Sequence, residues 1–121
     1  MGLTLGFVES QFAELLWQNA PLTTRELVVL CSEKLNWKRT TTYTVLKKLC
    51  NQGIFCTEEG LVTVLVSKDD FYAMQSEKFV EETFEGSLPA FIAAFASRKK
   101  PSEQELAEIR KLLDAFSEES K

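Results

Sequence analysis

The order of apolar and polar positions predicts three helices in the first half of the chain. Apolar residues recur at helical spacing over residues 8–19, and Pro21 ends this first helix. The second helix begins with the capping box T-T-R-E at residues 23–26 and ends at residues 36–37. The third starts near Thr40 and ends at Gly53, which fits the residue of positive φ just past a helix.

Two short strands are predicted after the third helix. Residues 54–56 and the β-branched run L-V-T-V-L-V at residues 61–66 flank a tight turn, E-E-G, at residues 58–60. Three helices followed by a hairpin are typical of a winged helix-turn-helix. The predicted fold class is therefore mainly α with a small β-hairpin, and we assign residues 1–67 to a winged-helix domain.

The rest of the chain, residues 68–121, is predicted to be a helical dimerisation domain. A helix starting at residues 67–70 continues to about residue 85, a second covers residues 88–95, and the last opens at Ser102 with the capping box S-E-Q-E. These helices are too short to bury their apolar stripes alone, and six of the nine phenylalanines lie beyond residue 67. The segment either folds back on the first domain or pairs with a second copy, and we favour pairing.

Nine apolar residues are the predicted contacts of this pairing. They are Phe79, Phe84, Leu88, Phe91, Ile92, Phe95, Leu106, Ile109 and Leu113. The four at residues 88–95 could equally form a core within one chain.

The third helix divides into two faces. Thr42, Val45, Leu46, Leu49 and Cys50 share one side, and the other carries only hydroxyls, a phenol, ammonium groups and an amide. Alone, this pattern is that of a solvated amphipathic helix. In the third position of a winged fold, its short donors and acceptors favour a helix that enters the DNA major groove.

The charge distribution supports that interpretation. The net charge is −4, which argues against bulk attraction to nucleic acid. Residues 1–66 hold six basic and six acidic side chains, whereas residues 67–121 hold eight and twelve. Between Lys34 and Thr57 there are five cations and no acid, so the positive charge is concentrated around the third helix.

The candidate DNA contacts fall into three groups. The base-reading and groove-lining set comprises Thr41, Tyr43, Thr44, Lys47 and Lys48, and Thr40 on the same face is a further DNA-binding candidate. The phosphate-binding set comprises Lys38 and Arg39 before the third helix and Thr24 and Arg25 at the start of the second, where a helix presents free N–H groups. Thr63, on the second predicted strand, would touch sugar-phosphate, although the two acids of the turn weaken this clamp.

The residue inventory excludes several other classes. The chain has no histidine, no glycine-rich phosphate loop and no carboxylates clustered on one face, so no catalytic residues, metal site or cofactor are expected. Its three cysteines are scattered, and Cys31 and Cys50 fall on apolar helix faces as small hydrophobes. No apolar run could span a bilayer, and the N-terminus lacks the features of a signal peptide, so a cytoplasmic protein without membrane insertion is expected.

Two alternatives to DNA recognition are a winged-helix module that binds protein and a small enzyme. The lysines around the third helix argue against the first, because the cores of protein interfaces are depleted of lysine. The missing catalytic constellation argues against the second.

Two segments resemble the penicillinase-repressor family, which includes the methicillin-resistance and copper-transport repressors. They are L-L-W-x-x-x-P-L-T-x-R-E-L at residues 15–27 and N-W-x-x-T-T-x-Y-T-V-L-x-K-L-x-x-x-G-I at residues 36–54, and residues 102–113 also match. The resemblance implies a winged-helix domain, a three-helix dimerisation domain, and a homodimeric repressor on an inverted-repeat operator of double-stranded DNA.

The resemblance also implies how repression is relieved, and here the sequence departs from the family. Relief follows a membrane sensor-protease pathway that leads to cleavage of an Asn-Phe bond, or copper binding at C-terminal cysteines. The aligned bond here is Ala94–Phe95, and no cysteine follows Cys56. Where Tyr43 stands the family often has a basic residue, which implies a different operator preference.

Overall fold

The computed structural model describes residues 5–119, so the outer ends of both predicted domains, residues 1–4 and 120–121, lie outside the described part. Helices and a small sheet alternate along this part, as the sequence predicted. The elements are α1 Phe7–Asn19, β1 Leu22–Thr23, α2 Thr24–Leu35, α3 Arg39–Asn51, β2 Phe55–Glu58, β3 Leu61–Val64, α4 Lys68–Thr83, α5 Leu88–Arg98 and α6 Glu103–Glu119.

The sheet is antiparallel with strand order β1-β3-β2. It differs from the prediction in the residues at which strands begin and end and in the additional strand β1. Glu58 pairs with Leu61, so the turn contains only Glu59 and Gly60, both with positive φ (51° and 76°) as a two-residue hairpin turn requires. β3 ends at Val64 because the next two N–H groups both donate to the carbonyl of Ile54. β1 was not predicted: two residues carry no periodicity, and only the pairing with β3 makes them a strand.

One hydrophobic core is formed by the three N-terminal helices, the sheet and the start of α4. Its side chains are Phe12, Ala13, Leu16, Leu22, Leu27, Cys31, Leu46, Leu49, Ile54, Phe55, Val62 and Phe71. The thiol of Cys31 is fully buried, and burial raises its pKa, in keeping with its predicted role as a small hydrophobe.

The turn between α2 and α3 sets the approach of the two helices. The capping box predicted at the start of α2 is formed, because the Thr23 hydroxyl accepts from the Glu26 N–H and the Glu26 carboxylate accepts from the Thr23 N–H. At the other end Asn36 adopts the left-handed conformation (φ 58°), and Trp37 then stacks on Phe12 at 5.4 Å. This fixes the point from which α3 starts, at Arg39.

α3 ends in a Schellman motif at the predicted glycine. Gly53 has φ 82°, its N–H donates to the Cys50 carbonyl, and the Ile54 N–H donates to the Leu49 carbonyl. Leu49 and Ile54 are both buried, so the motif joins the end of α3 to the core.

The start of α4 packs with the first part of the chain. Trp17 donates from Nε1 to the Val66 carbonyl at 3.0 Å, and its ring contacts Phe55, Phe71 and Tyr72. Contacts divide the chain into a first unit, Met1–Lys78, and a second unit, Phe79–Lys121. The predicted domain boundary after residue 67 lies at the start of α4. The division into a DNA-binding and a dimerisation domain stays a prediction.

The second unit comprises the end of α4, α5 and α6. Glu85 and Gly86 adopt positive φ (52° and 80°) after α4, and the Ser87 hydroxyl caps α5. The predicted capping box of α6 is formed, with the Ser102 N–H donating to Glu105 Oε1 and the Glu105 N–H to Ser102 Oγ. Four phenylalanines make edge and tilted contacts: Phe79, Phe84, Phe91 and Phe95.

Candidate nucleic-acid interface

The two faces of α3 differ in burial as the helical spacing predicted. Thr42, Leu46 and Leu49 are buried, and Val45 and Cys50 are half-buried. The opposite face is exposed over its whole length, and it carries Arg39, Thr40, Thr41, Tyr43, Thr44, Lys47, Lys48 and Asn51. Lys38, the N-cap residue, is exposed beside them. The fold therefore presents the polar side chains of α3 to solvent.

Arg39 and Tyr43 form one unit at the start of α3. The guanidinium carbon of Arg39 lies 5.5 Å from the centre of the Tyr43 ring, within the range of a cation–π interaction. Together with Thr24 and Arg25 of α2 they line a cleft of about 320 Å³, to which Val28 and Val29 contribute apolar surface. The cleft brings two guanidinium groups, a hydroxyl and a phenol together from residues that are distant in sequence.

Hydroxyl groups on α3 already have partners within the helix. Thr44 Oγ1 donates to the Thr40 carbonyl at 2.9 Å, and the buried Thr42 Oγ1 donates to the Lys38 carbonyl at 3.3 Å. Such bonds orient the hydroxyl while its oxygen remains able to accept a further hydrogen bond. Thr44 can therefore accept from a base amino group without losing its own bond.

The start of α2 offers fewer free N–H groups than the sequence suggested. The Thr24 N–H donates to the Gly60 carbonyl at 2.8 Å, and the Glu26 N–H donates to the Thr23 hydroxyl. The hairpin turn thus occupies one of the groups that we expected to bind phosphate. At this end the exposed side chain of Arg25 is the remaining cation.

An acidic residue from α1 reaches the outer face of α3. The ammonium group of Lys48 forms a salt bridge with Oε2 of Glu9. The other oxygen of the same carboxylate, Oε1, accepts a hydrogen bond from the Gly6 N–H at 3.0 Å. The hydrogen bond with Lys48 holds the pKa of the Glu9 carboxyl below its usual range. Among the described residues Lys47 makes no salt bridge.

Sequence reasoning missed Glu9 at this face. The run from Lys34 to Thr57 lacks acids in sequence, but the fold adds a carboxylate from a residue 39 positions away. The helical pattern of α1 gives no sign of this contact, because salt bridges between distant helices follow from packing geometry.

The wing strand is less favourable for DNA contact. Thr63 is half-buried and pairs with Cys56, while Glu58 and Glu59 stand at the turn. The contact of Thr63 with the sugar-phosphate backbone of DNA stays a prediction.

The predicted dimer contacts all lie in the second unit, where no side chain between residues 79 and 118 is buried. Phe84, Phe91, Leu106 and Ile109 are half-buried. Those exposed by 44–55% are Phe79, Leu88, Ile92, Phe95 and Leu113, with Leu112 and Phe116 beside them in α6.

No group of three or more metal-ligating side chains occurs among residues 5–119, and no helix in that range is long and apolar enough to cross a membrane. Ala94 and Phe95, the predicted cleavage pair, lie inside α5, where the Ala94 carbonyl accepts from the Ser97 hydroxyl at 2.7 Å.

Comparison with known proteins shows which family the chain is similar to. A family model described as "Penicillinase repressor" matches residues 5–115. The penicillinase repressor of Bacillus licheniformis is 22% identical over 117 residues, which cover 93% of this chain and 91% of the relative.

Proposed function

Since the chain belongs to the penicillinase repressor family, a family of regulators rather than enzymes, we propose that it represses transcription by binding double-stranded DNA. The proposed site is an inverted-repeat operator, and the working unit is a homodimer that presents one α3 to each half-site. The observation that carries the proposal is the exposed polar face of α3, directed outward by the capped α2 and the Asn36 turn.

The roles of the side chains follow from their position. Thr40, Thr41, Tyr43 and Thr44 would contact base edges. Lys47 and Lys48 would line the groove and bind the phosphates along it, and Lys38, Arg39 and Arg25 would bind further phosphates. The contact between Arg39 and Tyr43 supports a shared role, in which the phenol ring orients the guanidinium.

An electrophoretic shift tests DNA binding directly. Duplexes from the region upstream of its own gene should be retarded more strongly than scrambled duplexes of equal length, and binding should weaken steeply with salt. Equal retardation of both, or none at low salt, would contradict the proposal.

Two matched variants separate base reading from backbone binding. Thr44→Ala should weaken operator binding preferentially, and a Lys47→Ala/Lys48→Ala double change should weaken all duplexes. If both variants act alike on operator and scrambled DNA, the division of roles is wrong.

The homodimer is supported by the apolar surface of the second unit, because exposed side chains such as Phe95 and Leu113 need a partner. Light scattering at micromolar concentration should give the mass of two chains. A monomer at that concentration would remove the dimer from the proposal.

A further part of the proposal is that cleavage of the Ala94–Phe95 bond relieves repression, with alanine standing where the family has asparagine. The Ala94–Phe95 bond lies within regular helix, so α5 must open locally before a protease can cleave it. Mass spectrometry of chain recovered from cells exposed to the inducing signal should show a break at this bond, and an intact chain in derepressed cells would exclude it.

A further inference from the structure

The salt bridge between Lys48 and Glu9 places a carboxylate beside a cation on the proposed DNA-binding face of α3. Lys48 lies on the outer face of α3, with 55% of its side chain exposed, while that of Glu9 is only 19% exposed. The acid is therefore the more buried partner of this pair and the lysine the more exposed one.

The Glu9 carboxylate is oriented by its own helix. At the start of α1 the Gly6 N–H donates to Oε1 of Glu9, which leaves Oε2 directed at Lys48. Both interactions favour the ionised acid, so it carries a full negative charge at neutral pH. A DNA phosphate that approaches Lys48 must displace this carboxylate or be repelled by it.

We propose that Glu9 is an intramolecular competitor of DNA phosphate for Lys48 and thereby lowers the sequence-independent part of the protein's DNA affinity. The inference rests on the proposed function, because it concerns the same face of α3. Phosphate contacts carry no sequence information, so the competition lowers affinity for operator and non-operator DNA by the same factor.

Glu9→Gln tests the competition with little disturbance of the fold. The amide oxygen of glutamine still accepts from the Gly6 N–H, while the charge opposite Lys48 is removed. Glu14→Gln is the matched control, because it also removes one acid from α1 and breaks a salt bridge, that with Lys68 (2.8 Å), which lies on α4.

Binding of operator and scrambled duplexes is measured over a salt series. For Glu9→Gln we expect about five- to tenfold tighter binding to both near ~0.1 M salt, and a slope of log K against log salt that is steeper by about 0.9. Glu14→Gln should leave the slope unchanged.

A double variant assigns the effect to Lys48. In a Lys48→Gln background, Glu9→Gln should no longer alter the slope. Equal slopes for Glu9→Gln, Glu14→Gln and the unaltered protein, or an unchanged Glu9→Gln effect without Lys48, would overturn the inference while leaving DNA binding itself established. Failure of the proposed function gives a different result, in which no variant binds any duplex at low salt, and the competition then has no ligand.

Discussion

The first unit closes a core around side chains such as Phe12 and Leu16, whereas between residues 79 and 118 no side chain of the second unit is buried. Both units are helical and both carry capping boxes, so local helix signals do not separate them. What separates them is a buried core: the first unit encloses a cluster of buried apolar side chains, although some, such as Phe7, stay exposed, whereas the second leaves Phe95 55% exposed and buries none over residues 79–118. We infer that the first unit is complete in one chain and the second requires a partner.

The largest expected effect is on the core of the first unit. Phe12→Ala removes a buried ring that stacks on Trp37, and should lower the free energy of unfolding by about 3–5 kcal/mol. Urea denaturation followed by tryptophan fluorescence measures it. Phe7→Ala, on the same helix but 79% exposed, is the control and should change stability by less than about 0.5 kcal/mol. Similar losses for the two variants would contradict the assigned core.

A charge on the exposed face of α5 should act on association instead of folding. Phe95→Asp is expected to weaken the homodimer roughly a hundredfold, because a carboxylate would be buried at the interface. Sedimentation equilibrium measures it. Val29→Asp places the same charge on an exposed apolar residue of the first unit and should leave association unchanged. If only Val29→Asp dissociates the dimer, the interface lies on the first unit and its assignment to the second unit is wrong.

The two capping boxes allow the same substitution in both units. Thr23→Ala and Ser102→Ala each remove a capping hydroxyl, at a cost of about 1 kcal/mol. The loss at Thr23 should appear in cooperative unfolding of the first unit, and the loss at Ser102 in faster amide exchange of α6 alone. Faster exchange of core amides in the Ser102 variant would show that the units unfold together.

Substitutions at Tyr43 should separate its ring from its hydroxyl. Tyr43→Leu removes the platform under Arg39, an interaction of about 0.5–1 kcal/mol, and should weaken binding to all duplexes two- to fivefold or so. Tyr43→Phe keeps the ring, so its loss should be confined to the operator. Fluorescence anisotropy with operator and scrambled duplexes measures both, and equal losses in the Tyr43→Phe variant would exclude base reading by the phenol.

The smallest effect concerns the salt bridge that joins α1 to α4. Lys68 holds the pKa of Glu14 below its ordinary 4.5, so the stabilisation is present above that value and is lost as the pH falls through the lowered one. Glu14 in turn raises the pKa of Lys68 above 10.5, so the same stabilisation is lost again at more alkaline pH. Glu14→Gln should lower the melting temperature by about 1 °C or less at pH 7, and the difference should vanish at acid pH. A difference that persists at pH 2 would assign the effect to packing.

Local chemistry made several features predictable. The hydroxyl and carboxylate of the box at residues 23–26, the glycine at residue 53 and the 3.6-residue period of α3 each act within a few residues. For that reason the helix order, the turn before α3 and its two faces could be predicted.

Other features depend on residues that are distant in sequence. β1 exists only through its pairing with β3, and the Trp17 N–H finds its acceptor at Val66. Element ends shifted for the same reason, as at Glu58, which the pairing with Leu61 moved from the turn into the strand.

The outer face of α3 shows both kinds of determination. The sequence by itself determined which side chains point outward, because helical geometry fixes that order whatever surrounds the helix. Only the tertiary structure decided their electrostatic surroundings, by stacking Arg39 on Tyr43 beside the start of α2 and by placing Glu9 against Lys48. Charges act through space and not along the chain, so a stretch without acids in sequence became a surface with one.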